Sequence, residues 1–123
     1  MSETMRKQLQ QYALERYGDV PSYPFANYPE IAVLRHGVDG KWYALFTDVP
    51  AEKFGLEVTK PDEMVSVVNL KCNPDDSPAL CMQADIFPAW HMNKKHWISV
   101  LLDRSAPLPL VEELLACSYE LTK

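Results

Sequence analysis

The sequence predicts an α+β fold, a two-layer α/β sandwich in which a mostly antiparallel sheet is flanked by N- and C-terminal helices. Three observations lead there. Both ends of the chain carry apolar residues at helical spacing, over 5–17 and 110–121. Between them lie short β-rich runs, two of which meet at Asp39-Gly40, a tight-turn signal that makes neighbouring strands antiparallel. Of the 123 residues, 47% are hydrophobic and 24% charged, the balance of a globular chain long enough for one core. Residues 1–123 read as a single domain.

The opening helix is expected over Glu3–Tyr17. Met5, Leu9, Tyr12, Ala13 and Tyr17 form its apolar stripe, Ser2 can cap its start, and Gly18 suits a left-handed stop. Pro21, Pro24 and Pro29 then forbid regular structure. Tyr23, Phe25 and Tyr28 between them suggest a loop packed on the body. Ile31–His36 and Lys41–Thr47 read as a hairpin, with a two-residue turn at Asp39-Gly40. Trp42, Ala44 and Phe46 should share one face of its second strand, Tyr43, Leu45 and Thr47 the other. Both sets are largely apolar, so that strand should be central.

Residues 48–63 are acidic and broken by Pro50, Gly55 and Pro61. Met64–Leu70 is a valine-rich strand. Ser77-Pro78 looks like an N-cap and first helical residue, opening a short helix to Ala84. Residues 85–96 read as a connection, Trp97–Leu102 as the last strand, and the chain from Pro109 as a helix burying Leu110, Leu114, Cys117 and Leu121.

Net charge is −5, which argues against unspecific binding to a polyanion. The distribution is uneven: residues 48–66 hold 2 basic and 5 acidic groups, residues 86–104 hold 3 basic and 1 acidic. Cys72, Cys81 and Cys117 are odd in number and widely spaced, so they make no disulfide framework. No apolar leader or bilayer-length apolar run is present. A cytoplasmic location, away from membranes, is expected.

No glycine stands in a phosphate-binding loop, and no cofactor is expected. His91 and His96 are five residues apart, off the spacing that puts two imidazoles on one helix face. A composite metal site from Cys72, Cys81 and a histidine is the weaker reading. Three small core fillers is the stronger. Ser118 stands in no nucleophile elbow, and a hydroxyl bonded back to its own helix explains it better. The paired acids Asp62-Glu63, Asp75-Asp76 and Glu112-Glu113 suit solvated faces. The expectation is a protein that is not an enzyme.

The dense segment is Trp90 to Trp97, with two Trp, two His, two Lys, an Asn and a Met in eight residues. Cations between aromatics suit nucleic acid, since cations meet phosphates and indoles stack on bases. The plainer reading has the indoles anchoring a loop whose lysines are merely exposed.

"HMNKKHWISVLLD" (91–103), "VVNLKCNP" (67–74), "LLACSYELT" (114–122) and the hairpin "RHGVDGKWYALFTDVP" (35–50) resemble the MmcQ/YjbR family of small bacterial proteins. Ala89-Trp90 stands where that family often has Gly-Tyr or Ala-Tyr before HMNK, so the aromatic is kept but enlarged. The resemblance implies a sandwich similar to the CyaY-like (frataxin) and secretion-chaperone-like folds. It also implies DNA binding through a double wing of the sheet, or a resistance or sequestration role. Frataxin-type iron binding does not follow, because residues 3–17 carry Glu3 and Glu15 against Arg6, Lys7 and Arg16.

The leading expectation is a binding protein for double-stranded DNA. Phosphate contacts would come from Lys94, Lys95, His91, His96 and Asn93, helped by Arg35, His36 and Lys41 of the hairpin. The alternative is a small-molecule or peptide module with a pocket built from Trp42, Trp90, Tyr23 and Phe25.

Overall fold

The computed structural model describes residues 4–58, 60 and 62–123. Helix α1 spans Met5–Tyr17. The Thr4 hydroxyl accepts from the Lys7 N–H at its start, and Gly18, at φ 72°, closes it by donating to the Leu14 carbonyl. The expected cap Ser2 lies outside the described residues. Met5, Leu9 and Ala13 are buried, as their spacing predicts.

Five strands form one sheet among the described residues: β1 (Ala32–Arg35), β2 (Trp42–Pro50), β3 (Met64–Lys71), β4 (Ile86–Pro88) and β5 (Trp97–Leu101). Their spatial order is β1-β2-β3-β5-β4, and each pair is antiparallel. Helix α2 (Ser77–Leu80) is a single turn between β3 and β4, and α3 (Leu108–Thr122) ends the chain. Helices α1 and α3 cover one face, over a core that includes Leu9, Leu34, Phe46, Leu70, Val100 and Leu115. The fold is the α+β sandwich that the sequence predicts, with β2 in the sheet's interior.

Several local expectations fail, each for a physical reason. The β1–β2 connection is longer than a two-residue turn: His36 N–H bonds the Lys41 carbonyl, and the left-handed residue is Gly37, not Asp39 or Gly40. Gly40 is needed for space, since a Cβ there would meet the His36 carbonyl oxygen. Residues 22–28 pack down only in part, through Phe25 against Trp42. Tyr23 and Tyr28 are 59% and 57% exposed, while Ser22 pairs with Val33 at the edge of β1. Strand β2 runs on to Pro50 and leads into a 3-10 turn at Ala51–Phe54. Helix α2 stops at Leu80, and β4 lies inside the stretch read as a connection.

Two corrections concern which side chains face inward. Leu34 pairs with Ala44, but Arg35 pairs with Trp42, so Tyr43 is the extra residue of a β-bulge. Tyr43 and Ala44 therefore both enter the helix-covered core, and Trp42 turns to the other face. Strict alternation would have put Trp42 with Ala44 and Phe46.

Helix α3 buries Val111, Leu115, Ser118 and Thr122, one position on from the expected stripe. Ser118 sets that rotation. Its hydroxyl accepts from Lys71 N–H at 2.9 Å and donates to the Tyr43 carbonyl at 2.6 Å, so it is bonded to the sheet and not back to its own helix. The cysteines divide accordingly: Cys72 is buried, Cys81 half-buried and Cys117 exposed, so Cys117 is no core filler. Burial pushes the Cys72 thiol above its ordinary value.

Candidate functional site

The face of the sheet turned away from α1 and α3 presents Leu45 and Thr47 of β2, Asn69 and Val67 of β3, and Ser99 and Leu101 of β5, by alternation and register. One half of it is closed by the segment after β2. Val49, Ala51, Val65, Val67 and Leu101 form a second small core there, with Phe54, Leu56, Phe87 and Trp90 packed against it. The Phe54 and Phe87 rings lie 5.0 Å apart.

The other half is a hollow of about 260 Å³. Leu45, Thr47 and Asn69 line it from the strands; Phe25, Ile31 and Trp42 do so from the β1 side, and Trp90, His91 and Met92 from the β4–β5 loop. The Phe25 ring meets Trp42 edge-on at 5.8 Å. Trp90 closes both halves, with the Lys53 ammonium 5.7 Å from its ring centroid.

A buried polar pair fixes Trp90. Ser99 and Asn69 are 0% and 1% exposed. The Ser99 hydroxyl donates to Asn69 Oδ1 at 2.5 Å and accepts from Trp90 N–H at 2.9 Å, while Asn69 Nδ2 donates to the Trp90 carbonyl at 3.0 Å. Both backbone groups of Trp90 are thus held by two strands of the sheet. An amide has two N–H donors, so Asn69, which lines the hollow, has donor capacity beyond its bond to Trp90. The next residue, His91, sits at φ 60°, an uncommon conformation for a non-glycine residue, with its ring 4.3 Å from that of Trp90.

Of the four residues expected to make a pocket, Trp42, Trp90 and Phe25 converge here. Tyr23 does not line the hollow. The residues expected to contact phosphate are more dispersed. His91, Lys94 and Lys95 are exposed on the Trp90 loop, and Lys41 is exposed on the β1–β2 loop. Asn93 Oδ1 accepts from Lys95 N–H and its carbonyl accepts from His96 and Trp97, so this side chain shapes its own turn. Lys94 Nζ donates to the Ala89 carbonyl at 2.7 Å. Half-buried His96 ties the loop to Cys72 through its carbonyl. Arg35 Nε donates to the Gly40 carbonyl. His36 lies on the helix side, 2.7 Å from the Thr122 hydroxyl and against the Tyr43 and Tyr119 rings.

Sequence reasoning did not single out Asn69 and Ser99. The available signal was a polar residue inside each of two apolar strands, Val68-Asn69-Leu70 and Ile98-Ser99-Val100. Among the described residues no cluster of three or more His, Cys, Asp or Glu is placed to hold a metal ion, and no helix is long and apolar enough to cross a membrane.

Fold and hollow together define an α+β sandwich with one sheet face under helices and an aromatic-lined cavity on the other. The YjbR family profile matches residues 14–121, and the chain belongs to that family. It is 39% identical over 118 residues to the uncharacterized Bacillus subtilis protein YyaQ, covering 96% of this chain and 98% of that one. Escherichia coli YjbR, also uncharacterized, is 33% identical over 84 residues, 68% of this chain and 70% of that one. The crystal structure of a Pseudomonas syringae protein superposes with a TM-score of 0.89 at 40% identity, over 96% of this chain and 98% of that chain. A Deinococcus radiodurans structure of the domain family DUF419 gives 0.72 at 28% identity, over 96% and 78%.

Proposed function

We propose that the protein binds, without chemical turnover, a small flat molecule of largely apolar character in the hollow between Trp42 and Trp90. The observation that carries this reading is the convergence of Phe25, Trp42 and Trp90 on a sheet face that the helices leave open. Indole and phenyl faces favour planar partners, and few polar groups suffice to orient them. Asn69 and His91, both lining the hollow, are the polar residues available for that. At about 260 Å³ the hollow lies just below the usual range for drug-sized ligands, which favours two or three fused rings.

The test compares acridine with its saturated analogue perhydroacridine, by quenching of tryptophan fluorescence and by NMR of the indole N–H groups. Acridine should bind at least tenfold more tightly, about 1.4 kcal/mol, and Trp42→Ala should remove that preference. Equal binding of both compounds, or acridine binding unchanged in Trp42→Ala, would sink the reading.

One observation favours DNA as a second reading. His91, Lys94 and Lys95 are exposed on the loop that carries Trp90, so a stacked base would find cations beside it. Two or three phosphate contacts give weak, strongly salt-dependent binding. A fluorescent duplex of mixed sequence, titrated at two salt concentrations, tests it. No binding at low salt removes DNA, and Lys94→Glu/Lys95→Glu should weaken any binding seen by at least tenfold.

A further inference from the structure

A second cavity lies on the opposite side of the molecule, under the helices. It is a cleft of about 620 Å³ between α3 and the turn of α2, floored by the end of β3 and the start of β5. Its apolar surface comes from Leu80, Ile98, Leu114 and Leu121, with Cys117 beside them. Leu114, Cys117 and Leu121 belong to the stripe whose spacing suggested burial. The Ser118 bonds to Tyr43 and Lys71 turn the helix so that Val111 and Leu115 go inside. Helix α3 thus carries two apolar stripes, and the second is covered only in part: Leu114 is half-buried against the main core, while the cleft leaves its outer side open. Leu121 is 45% exposed and Cys117 is exposed.

Charge specifies the occupant. Asp76, Glu113 and Glu120 stand on the rim, against Lys71. Glu120 also meets Lys123 at 3.4 Å, but both side chains are more than half exposed, and such a pair yields readily to another cation. The cleft volume falls inside the range of small-molecule sites, and its helical wall from Glu113 to Leu121 is about 12 Å long. We infer that this cleft is a second binding site, for a lipophilic amine: an apolar chain lies along Leu80, Leu114 and Leu121 while its cationic head meets the rim carboxylates. Nothing in this rests on the aromatic hollow, which is on the other face of the sheet.

Cys117 provides a local reporter. Its alkylation by iodoacetamide is followed by mass spectrometry of its peptide, with decyltrimethylammonium or decyl sulfate present below their micelle concentrations. The two probes share one chain and differ in head charge. The ammonium should slow alkylation at least fivefold at concentrations where the sulfate leaves it unchanged, and methyl NMR signals of Leu114 and Leu121 should shift with it. Glu113→Gln/Glu120→Gln should abolish the preference for the cation while thermal unfolding stays unchanged. Equal protection by both probes, protection by neither, or a preference that survives the double substitution overturns the proposal. So does protection by a basic amphipathic helical peptide but not by the amine, which would make the cleft a peptide groove.

Discussion

The two faces of the sheet are built from the same five strands and do different work. Under the helices, side chains such as Leu9, Phe46, Leu70 and Leu115 are fully buried, and the polar groups present are ties between layers: Ser118 to the sheet, Tyr43 hydroxyl to Asp19 at 2.7 Å. Burial, and then the bond to Asp19, pushes the Tyr43 phenol far above its ordinary value, so it stays a donor. On the other face Asn69 and Ser99 are buried inside strands, large aromatics are left half-covered, and His91 holds an uncommon backbone conformation. Exposing indoles and burying polar groups both cost stability, so the open face is the less completely packed of the two and the one on which the proposed function rests.

The sharpest way to break this comparison is to truncate one aromatic on each side. Phe46→Ala should cost about 3–5 kcal/mol and lower Tm by roughly 10 °C or more, as a filled core site does. Next comes the polar pair. Asn69→Leu leaves the Ser99 O–H without its acceptor and the Trp90 carbonyl without its donor, and should cost about 1–3 kcal/mol. It should also shift the Trp90 indole N–H signal, because the backbone that aims that ring is released. Trp42→Ala should cost only about 1 kcal/mol, as a half-buried residue does. A loss as large as that of Phe46→Ala would mean that both faces are ordinary core.

The fold was legible in α1 from helical spacing, in β3 and β5 from apolar, β-branched runs buried on both faces, and in the antiparallel pairing of β1 with β2 from the turn signal between them. It was illegible where a single residue shifts the phase. The bulge at Tyr43 inserts one residue into an otherwise regular alternation, and both alternating sets of β2 are apolar, so hydropathy holds no trace of it. Helix α3 has apolar residues on two adjacent stripes, and the polar ties of Ser118 to the sheet and of Thr122 to His36 mark the one that faces inward. For the candidate site, aromatic content singled out Phe25, Trp42 and Trp90, which the structure brings together around one hollow. It failed for Tyr23, which follows Ser22 at the sheet edge while its ring stays in solvent. The cations of the hairpin were read as one group because sequence proximity cannot show that His36 turns toward Thr122.

Smaller effects sharpen the comparison at the sheet's margin, which belongs to neither face. Asp85, at φ 66°, accepts from the Ser105 N–H at 2.9 Å, from the Ser105 hydroxyl and from Arg104, and ties the start of β4 to the turn after β5. Burial raises its pKa and is the largest single influence, but the Ser105 bonds and the Arg104 charge together outweigh it and hold the carboxyl below its ordinary value. A folded pKa below the unfolded one means that its stabilisation is present above about pH 4 and is lost as pH falls through the folded value. Urea titrations at pH 7 and pH 3 should show a smaller acid-induced loss in Asp85→Asn than in the wild type, by less than about 1 kcal/mol. Smallest of all, Lys94→Glu/Lys95→Glu should leave stability within about 0.5 kcal/mol, since both side chains are exposed. A larger loss would show the Lys94–Ala89 bond to be part of what holds the Trp90 loop.

The Ser118 hydroxyl also works as a clock. The paired register of β2 and β3 ends at Ala44 and Leu70, and the next two backbone groups, Tyr43 carbonyl and Lys71 N–H, are joined through the hydroxyl of a helix residue that lies 47 positions from Lys71 in sequence. The Lys71 amide is therefore shielded from solvent only while α3 is seated. In deuterium exchange it should keep time with the undocking of the C-terminal helix, while the Leu70 amide beside it keeps time with the opening of the sheet. One residue step along β3 would separate two motions of the molecule, and Ser118→Ala should merge the faster clock with free solvent exchange while leaving the slower one running.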